Sequence, residues 1–127
     1  MNSFFGKKVL ITGHTGFKGF WLAMILRSMG ANVVGVSLKT DPNKKSHFNS
    51  LNGEDLIKTF FLDIKDLHSL KELTNQIKPD YVFHLAAQAL VAESFKDPIN
   101  TFTTNTIGSI NLLESMRDAN YESNIIM

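Results

Sequence analysis

The sequence predicts an α/β fold built on a doubly wound parallel sheet. Two observations carry it. Short, wholly apolar runs, of the kind buried on both faces of a parallel sheet, alternate with segments of helical period. The first strand–helix–strand passage also has the size of one βαβ unit, about 30 residues.

Val9-Leu10-Ile11 closes on Thr12-Gly13 and reads as the first strand. Phe17 to Met29 is helical in pattern, with apolar residues at 17, 20, 21, 24 and 25 and a second line at 22, 26 and 29. Gly30 stands just past its end, where a left-handed residue is expected. Phe20, Trp21 and the methionines fall at helical spacing and are expected in the core. Val33-Val34-Gly35-Val36 is the second strand. Lys39 to Asp55 is polar, holds the turn signal Asp41-Pro42-Asn43, and is expected as a surface excursion. Phe60-Phe61-Leu62 is a third strand ending at Asp63. Asp66 caps a helix whose apolar face is Leu67, Leu70, Leu73 and Ile77, and Lys78-Pro79-Asp80 breaks it. Tyr81 to Leu85 is the fourth strand. Asp97-Pro98 opens the last helix, with an apolar line of Phe102, Ile110, Leu113 and Met116 and Ile107 beside it. Ile125-Ile126-Met127 begins a fifth strand. The expected architecture is therefore a doubly wound sheet truncated at the start of its fifth strand. Such a sheet would keep a raw apolar edge, so residues 1–127 are expected to be the N-terminal part of a longer protein.

Composition narrows the function classes. The 127 residues suit one domain, and 43% of them are apolar, enough for a core. A net charge of +1 gives no field favouring nucleic acid or an anionic membrane. With no cysteine there is no disulfide framework and no thiolate metal site. The histidines at 14, 47, 68 and 84 show no metal-ligand spacing. The N-terminus lacks a signal-peptide pattern, and the longest apolar run, Phe20 to Leu26, falls short of the roughly 18 residues of a membrane span. A cytoplasmic protein without membrane or nucleic-acid partners is expected.

The chemistry concentrates in Gly13-His14-Thr15-Gly16-Phe17-Lys18-Gly19, between the first strand and the first helix. That context marks a Rossmann-type dinucleotide loop. Gly13 permits the turn out of the strand, Gly16 removes a Cβ where the backbone approaches a diphosphate, and Gly19 lets the helix pack tightly on the sheet. The helix N-terminus offers free N–H groups and partial positive charge to the anion. Thr15 and Lys18 add a hydroxyl and a cation. The expected cofactor is NAD, with NADP possible. An acid about 20 residues past the loop normally binds the ribose 2′-hydroxyl. That stretch here is Ser37-Leu38-Lys39-Thr40-Asp41, with no acid at the strand end. Lys39 is either a solvated surface lysine or, with Ser37, a feature favouring a 2′-phosphate.

Ligands of open parallel sheets bind beyond the carboxyl ends of the strands. Asp63 stands at such an end and can accept from an adenine amino group, with the Ile64 backbone reading the ring edge. The alternative is a simple turn aspartate. Leu85-Ala86-Ala87-Gln88 leaves the fourth strand on the same edge, its small residues allowing close approach of a cofactor ribose. His84, inside the strand, reads as a satisfied core histidine rather than a catalyst.

These segments together resemble the extended short-chain dehydrogenase/reductase family. Thr12 to Gly19 is similar to its TGxxGxxG loop, Leu62-Asp63-Ile64 to its adenine-contact segment, and His84 to Gln88 to its fourth-strand segment. Asn105 to Ser109, followed by Asn111 to Glu114, is similar to its long-helix pattern. His14 and Lys18, with Trp21-Leu22 and Ala86 to Val91, are similar to the branch of the family that removes water from CDP-glucose at positions 4 and 6. The resemblance implies a nucleotide-sugar substrate, a homodimer, bound NAD recycled within each turnover, and a role in deoxysugar synthesis for surface polysaccharide such as lipopolysaccharide. It also implies a Ser/Thr after the fifth strand and a Tyr-x-x-x-Lys pair as the acid–base set. Tyr81 is followed four residues on by Leu85 and Tyr121 by Ile125, so the pair is not in these residues. No catalytic residue and no turnover are expected of this chain alone. Relatives commonly carry an acid near Lys39, and its absence leaves NAD against NADP open.

Overall fold

Side chains alternate across a strand, so the three apolar residues of the first strand must supply two cores. In a computed structural model describing residues 3–127, they do. Val9 and Ile11 join Phe20, Ala23, Leu26, Phe48 and Ile57 on one face of the sheet, and Leu10 joins Val36, Leu73, Val82, Leu112 and Met116 on the other. Leu10 and Ile11 are fully buried, and truncating either to Ala costs about 2–5 kcal/mol.

The sheet has five parallel strands, β1 (Lys8–Thr12), β2 (Asn32–Ser37), β3 (Lys58–Phe61), β4 (Tyr81–His84) and β5 (Asn124–Ile126), in the order β3-β2-β1-β4-β5. The chain runs outward from β1 to β3, then crosses to β4 on the far side of β1. The carboxyl ends of β1 and β4 therefore flank the point where winding reverses, where an open sheet leaves a crevice. Helix α1 (Phe17–Ser28) covers one face, and α4 (Leu67–Ile77) and α7 (Gly108–Arg117) cover the other. Between them lie α2 (His47–Ser50), α3 (Gly53–Leu56), α5 (Val91–Lys96) and α6 (Pro98–Phe102). The caps follow the residue chemistry: the carboxylates of Asp66 and Asp97 accept from the amides of Ser69 and Asn100, and Gly30 takes φ +85° after α1.

Four expectations are corrected. Trp21 is 41% exposed, because α1 buries only the line Gly19, Phe20, Ala23 and Leu26; Phe17 and Ile25 point outward too. Met116 is buried but Met127 is exposed, and Met1 lies outside the described residues. The excursion after β2 is not only surface: it folds into α2 and α3, and its Phe48 is fully buried against the rings of Phe20 and His14. The last helix is not one regular rod. A π-helical turn, Thr103–Ile107, separates α6 from α7 and rotates the face that α7 presents. The buried line becomes Gly108, Leu112, Ser115 and Met116, whereas Phe102, Ile107, Ile110 and Leu113 are exposed. The third strand also begins earlier than its aromatic residues suggest, at Lys58.

Candidate functional site

A cleft of about 660 Å³ opens at the carboxyl ends of β1, β2, β3 and β4. It brings together Gly13, Thr15, Gly16 and Phe17 from the first loop, Asp63 and Ile64 after β3, and Leu85, Ala86, Ala87 and Gln88 after β4. Lys18 and Gly19 do not line it. A second hollow, of about 830 Å³, lies at the opposite end of the sheet beside Lys7, Asp80 and Tyr121, away from all of these residues.

The glycines of the loop do three different jobs. Gly13 has φ +76°, and a Cβ there would stand 2.7 Å from the Ala86 nitrogen and the Leu85 carbonyl carbon. It is a backbone-to-backbone seam between the β1 and β4 exits. A Cβ on Gly19 would strike the Gly13 carbonyl oxygen and lie 2.8 Å from the His14 Cα. Gly19 therefore seats the helix on the loop itself, not on the sheet as expected from sequence. A Cβ on Gly16 would meet only the Gly13 oxygen, at 3.3 Å, and otherwise face open cleft. Gly16 caps α1 without a side-chain hydrogen bond, and no acid stands in the first turn. The first intrahelical bond is from Phe20 N to the Gly16 oxygen, so the Phe17, Lys18 and Gly19 amides precede it. This end carries amides without intrahelical partners and no competing negative charge, the chemistry that favours an anion.

His14 fixes the loop from below. Its ring occupies the space a side chain on Gly35 would fill and packs edge-on against Phe48 at 5.3 Å. Nε2 lies 2.9 Å from Thr59 Oγ1, whose own hydrogen goes to the Ile57 carbonyl, so Nε2 carries the proton and donates. Nδ1 is buried without a hydrogen-bond partner. Burial lowers the pKa to about 4, partly opposed by the Val36 backbone, and the ring is neutral at pH 7.

His84 is tied in by the same logic. Ser109 Oγ gives its hydrogen to the Asn105 carbonyl and so accepts from His84 Nε2 at 2.9 Å. Nδ1 then accepts from Thr12 Oγ1 at 2.6 Å, and Thr12 Oγ1 in turn accepts from the Leu85 and Ala86 amides at 3.2 Å. Burial lowers this pKa also. His84 is a structural core histidine that shapes the β4 exit.

Sequence reading placed Asn105 in the long-helix pattern but gave it no role at the site. From the π-helical turn its Oδ1 accepts from the Gln88 amide at 2.7 Å while its Nδ2 donates to the Gln88 carbonyl at 3.0 Å. Gln88 Nε2 adds a bond to Thr101 Oγ1 at 3.0 Å. Asn111 likewise holds the Ile64 and Lys65 carbonyls at 3.1 and 2.9 Å. The signal available in sequence was two asparagines on one helix, which no periodicity assigns to a wall. Asp63 Oδ1 accepts from the Lys65 amide at 2.9 Å, leaving Oδ2 near Lys65 Nζ at 3.5 Å. Among the described residues no group of three or more His, Asp or Glu could hold a metal ion, and no helix is long and apolar enough to cross a membrane.

Comparison with known proteins gives the family and supports the fold. Residues 10–127 match the family of GDP-mannose 4,6 dehydratase. The CDP-glucose 4,6-dehydratase of Salmonella typhimurium is 44% identical over 112 residues, 88% of this chain and 31% of that protein. Among solved structures, the Thermotoga maritima UDP-glucose 4-epimerase with UDP-glucose superposes with a TM-score of 0.75 at 32% identity, over 90% of this chain and 35% of that one. The Thermus thermophilus UDP-glucose 4-epimerase in complex with NAD gives 0.71 at 32% identity, over 87% and 33%. The chain spans about a third of the length of the curated relatives it matches.

Proposed function

The chain belongs to the family of GDP-mannose 4,6 dehydratase, and from that premise we propose that it is the NAD-binding portion of a nucleotide-sugar 4,6-dehydratase. The observation that carries this reading is the cradle at the α1 N-terminus. Gly16 leaves open cleft where a side chain would stand, and the first turn of α1 begins beside it with no acid. Those features fit the pyrophosphate of a dinucleotide.

In this reading Gly13, Thr15, Gly16 and Phe17 hold the diphosphate, and Gly19 and His14 keep the loop in place from behind. Lys18, exposed and off the cleft wall, adds only long-range positive charge. Asp63 accepts from the adenine amino group and Ile64 lies along its edge. Leu85 to Gln88 line the side nearer the nicotinamide ribose, fixed by Thr12, His84 and Asn105. The nicotinamide, when bound, supplies a reversible hydride acceptor.

The substrate proposed for the whole protein is a nucleotide-linked hexose, CDP-glucose first, and the net change is loss of water from C5 and C6. The similarity to UDP-glucose 4-epimerases favours a second reading, an epimerase of another nucleotide sugar on the same cofactor site. The exposed line Phe95, Ile99, Phe102, Ile107 and Ile110 on α5 to α7 suits the homodimer implied by the resemblance. The Tyr-x-x-x-Lys pair is not among these residues, so the 127-residue chain is proposed to bind cofactor without turnover.

Chromatographic separation followed by mass spectrometry, on the full-length protein with NAD and CDP-glucose, UDP-glucose or GDP-mannose, separates the readings. Loss of one water from CDP-glucose supports the dehydratase. An isomer of unchanged mass from any of the three supports the epimerase.

A further inference from the structure

The excursion after β2 carries the pair Asn52-Gly53, and the fold asks something particular of each residue. Asn52 precedes α3 with φ 50° and ψ 56°, in the left-handed region that asparagine tolerates better than most residues with a Cβ. Gly53 is buried, and a Cβ on it would strike the Phe48 ring, itself buried against His14 and Phe20. Packing therefore keeps a glycine directly after an asparagine.

That juxtaposition is chemically labile. The backbone nitrogen of the following residue can attack an asparagine side-chain carbonyl, and glycine, lacking a Cβ, crowds the approach least. Two further features leave the reaction open here. Asn52 is exposed, and its side chain makes no capping hydrogen bond. The Gly53 amide opens α3, where no intrahelical partner exists, and it donates to no other carbonyl among the described residues. Attack requires rotation about ψ of Asn52. Opposing it are the Asp55 amide on the Asn52 carbonyl at 2.9 Å and the Ile57 amide on the Gly53 carbonyl at 2.8 Å. In a helix of four residues such bonds open locally. Asn49 differs on both counts. Its Nδ2 donates to the Asp41 and Lys44 carbonyls, its Oδ1 accepts from Thr40, and the Ser50 amide that follows donates to the Ser46 carbonyl at 2.9 Å. The side chains of Asn105 and Asn111 are likewise hydrogen-bonded.

We propose that Asn52-Gly53 is a site of spontaneous covalent modification, deamidation through a cyclic imide, that unfastens the excursion from the core. The Gly53 nitrogen gives up its proton and bonds to Asn52 Cγ. The Cγ–Nδ2 bond breaks, and ammonia leaves with that proton. Water then opens the ring. Cleavage between the Gly53 nitrogen and Cγ gives aspartate. Cleavage between the same nitrogen and the main-chain carbonyl carbon gives isoaspartate, whose backbone is longer by one methylene. One water is consumed and one ammonia released, with no change of oxidation state. The longer backbone moves Gly53 off the Phe48 ring, and Phe48 ties α2, with Ser46 and Asn49 of the cleft wall, to the core.

The test is ageing of the full-length protein in mildly alkaline and mildly acidic buffer, then tryptic cleavage after Lys45 and Lys58 and fragmentation of the peptide 46–58. Asn52 is expected to gain one mass unit, faster in the alkaline buffer, as isoaspartate and aspartate together, with Asn49, Asn105 and Asn111 unchanged. The aged protein should unfold at lower urea than the fresh protein. Fresh Asn52→Asp has the charge without the longer backbone and should keep the fresh midpoint, since Asn and Asp serve alike before a helix. Asn52→Gln should age without either change. Asn52 intact in the folded protein, after a time that converts it in the urea-unfolded chain, overturns the proposal, as does conversion of Asn49 at the same rate. An aged protein that keeps the fresh midpoint overturns the unfastening.

Discussion

At the β1–α1 end of the cleft the walls are backbone, and at the β2–β3 end they are side chains. Gly13 and Gly19 bring main chain to within a Cβ of main chain, and a fully buried His14 holds the loop to the core. At the other end Lys39, Asp41, Lys44 and Asp63 are presented by exposed loops whose order comes from Asn49 and Asn111. The contrast teaches where binding and selectivity reside. In the proposed reading a diphosphate common to every dinucleotide is met mainly by backbone, with Gly13 and Gly19 held where a Cβ would strike main chain. In the same reading the groups that differ between dinucleotides are met by exposed side chains, which can change at little cost to the fold.

Gly19→Val should give the largest effect if that division holds. Its side chain would collide with the Gly13 and His14 backbone, lowering stability by about 3 kcal/mol, read as a shift of the urea midpoint, and removing binding with it. Second comes acidification. His14 has a folded pKa near 4 against an ordinary 6.5, so the unfolded chain takes up a proton that the folded chain refuses. The stability associated with its neutral form is complete above pH 6.5 and lost as pH falls toward 4, about 3 kcal/mol in all. The depressed pKa of His84 acts with the same sign. Urea unfolding at pH 7.5 and 4.5 should show the loss, and His14→Gln should show a smaller one; an unchanged slope would mean that His14 does not tie the loop to the core. Asn105→Ala is third: it unpairs both backbone groups of Gln88 and should cost about 1–3 kcal/mol, with faster amide exchange at Gln88. Asp63→Asn is the smallest. It is partly exposed and its ion pair with Lys65 is 3.5 Å long, so stability should move by less than about 1 kcal/mol while dinucleotide affinity falls a few fold.

The same division explains what the sequence disclosed. The glycine spacing, the apolar runs and the caps at Asp66 and Asp97 report backbone requirements, and these were readable because only certain residues meet them. The parallel sheet followed from the alternation of strands and helices. The buried faces of α1 and α7 were not readable: Trp21, Ile110 and Leu113 are apolar at helical spacing, yet each is exposed because Gly19 and the π-helical turn set which line faces the sheet. The roles of Asn49, Asn105 and Asn111 were hidden for a related reason. Each bonds to backbone distant in sequence or across an irregular loop, and such partners leave no periodic trace. His14 was visible as a signature of the loop, but its burial in the space beside Gly35 could be seen only once β2 lay next to β1.

Calorimetric titration of Gly16→Val beside the unaltered protein tests the central claim most directly, because a Cβ there meets only the Gly13 oxygen, at 3.3 Å, and Gly16 lines the cleft. The unaltered protein is predicted to bind NAD, NADH, NADP or NADPH with one site per chain. Gly16→Val is predicted to keep its circular dichroism and urea midpoint and to bind none of them. Absence of binding by the unaltered protein, or undiminished binding by the variant, would contradict the assignment of this cleft to a dinucleotide.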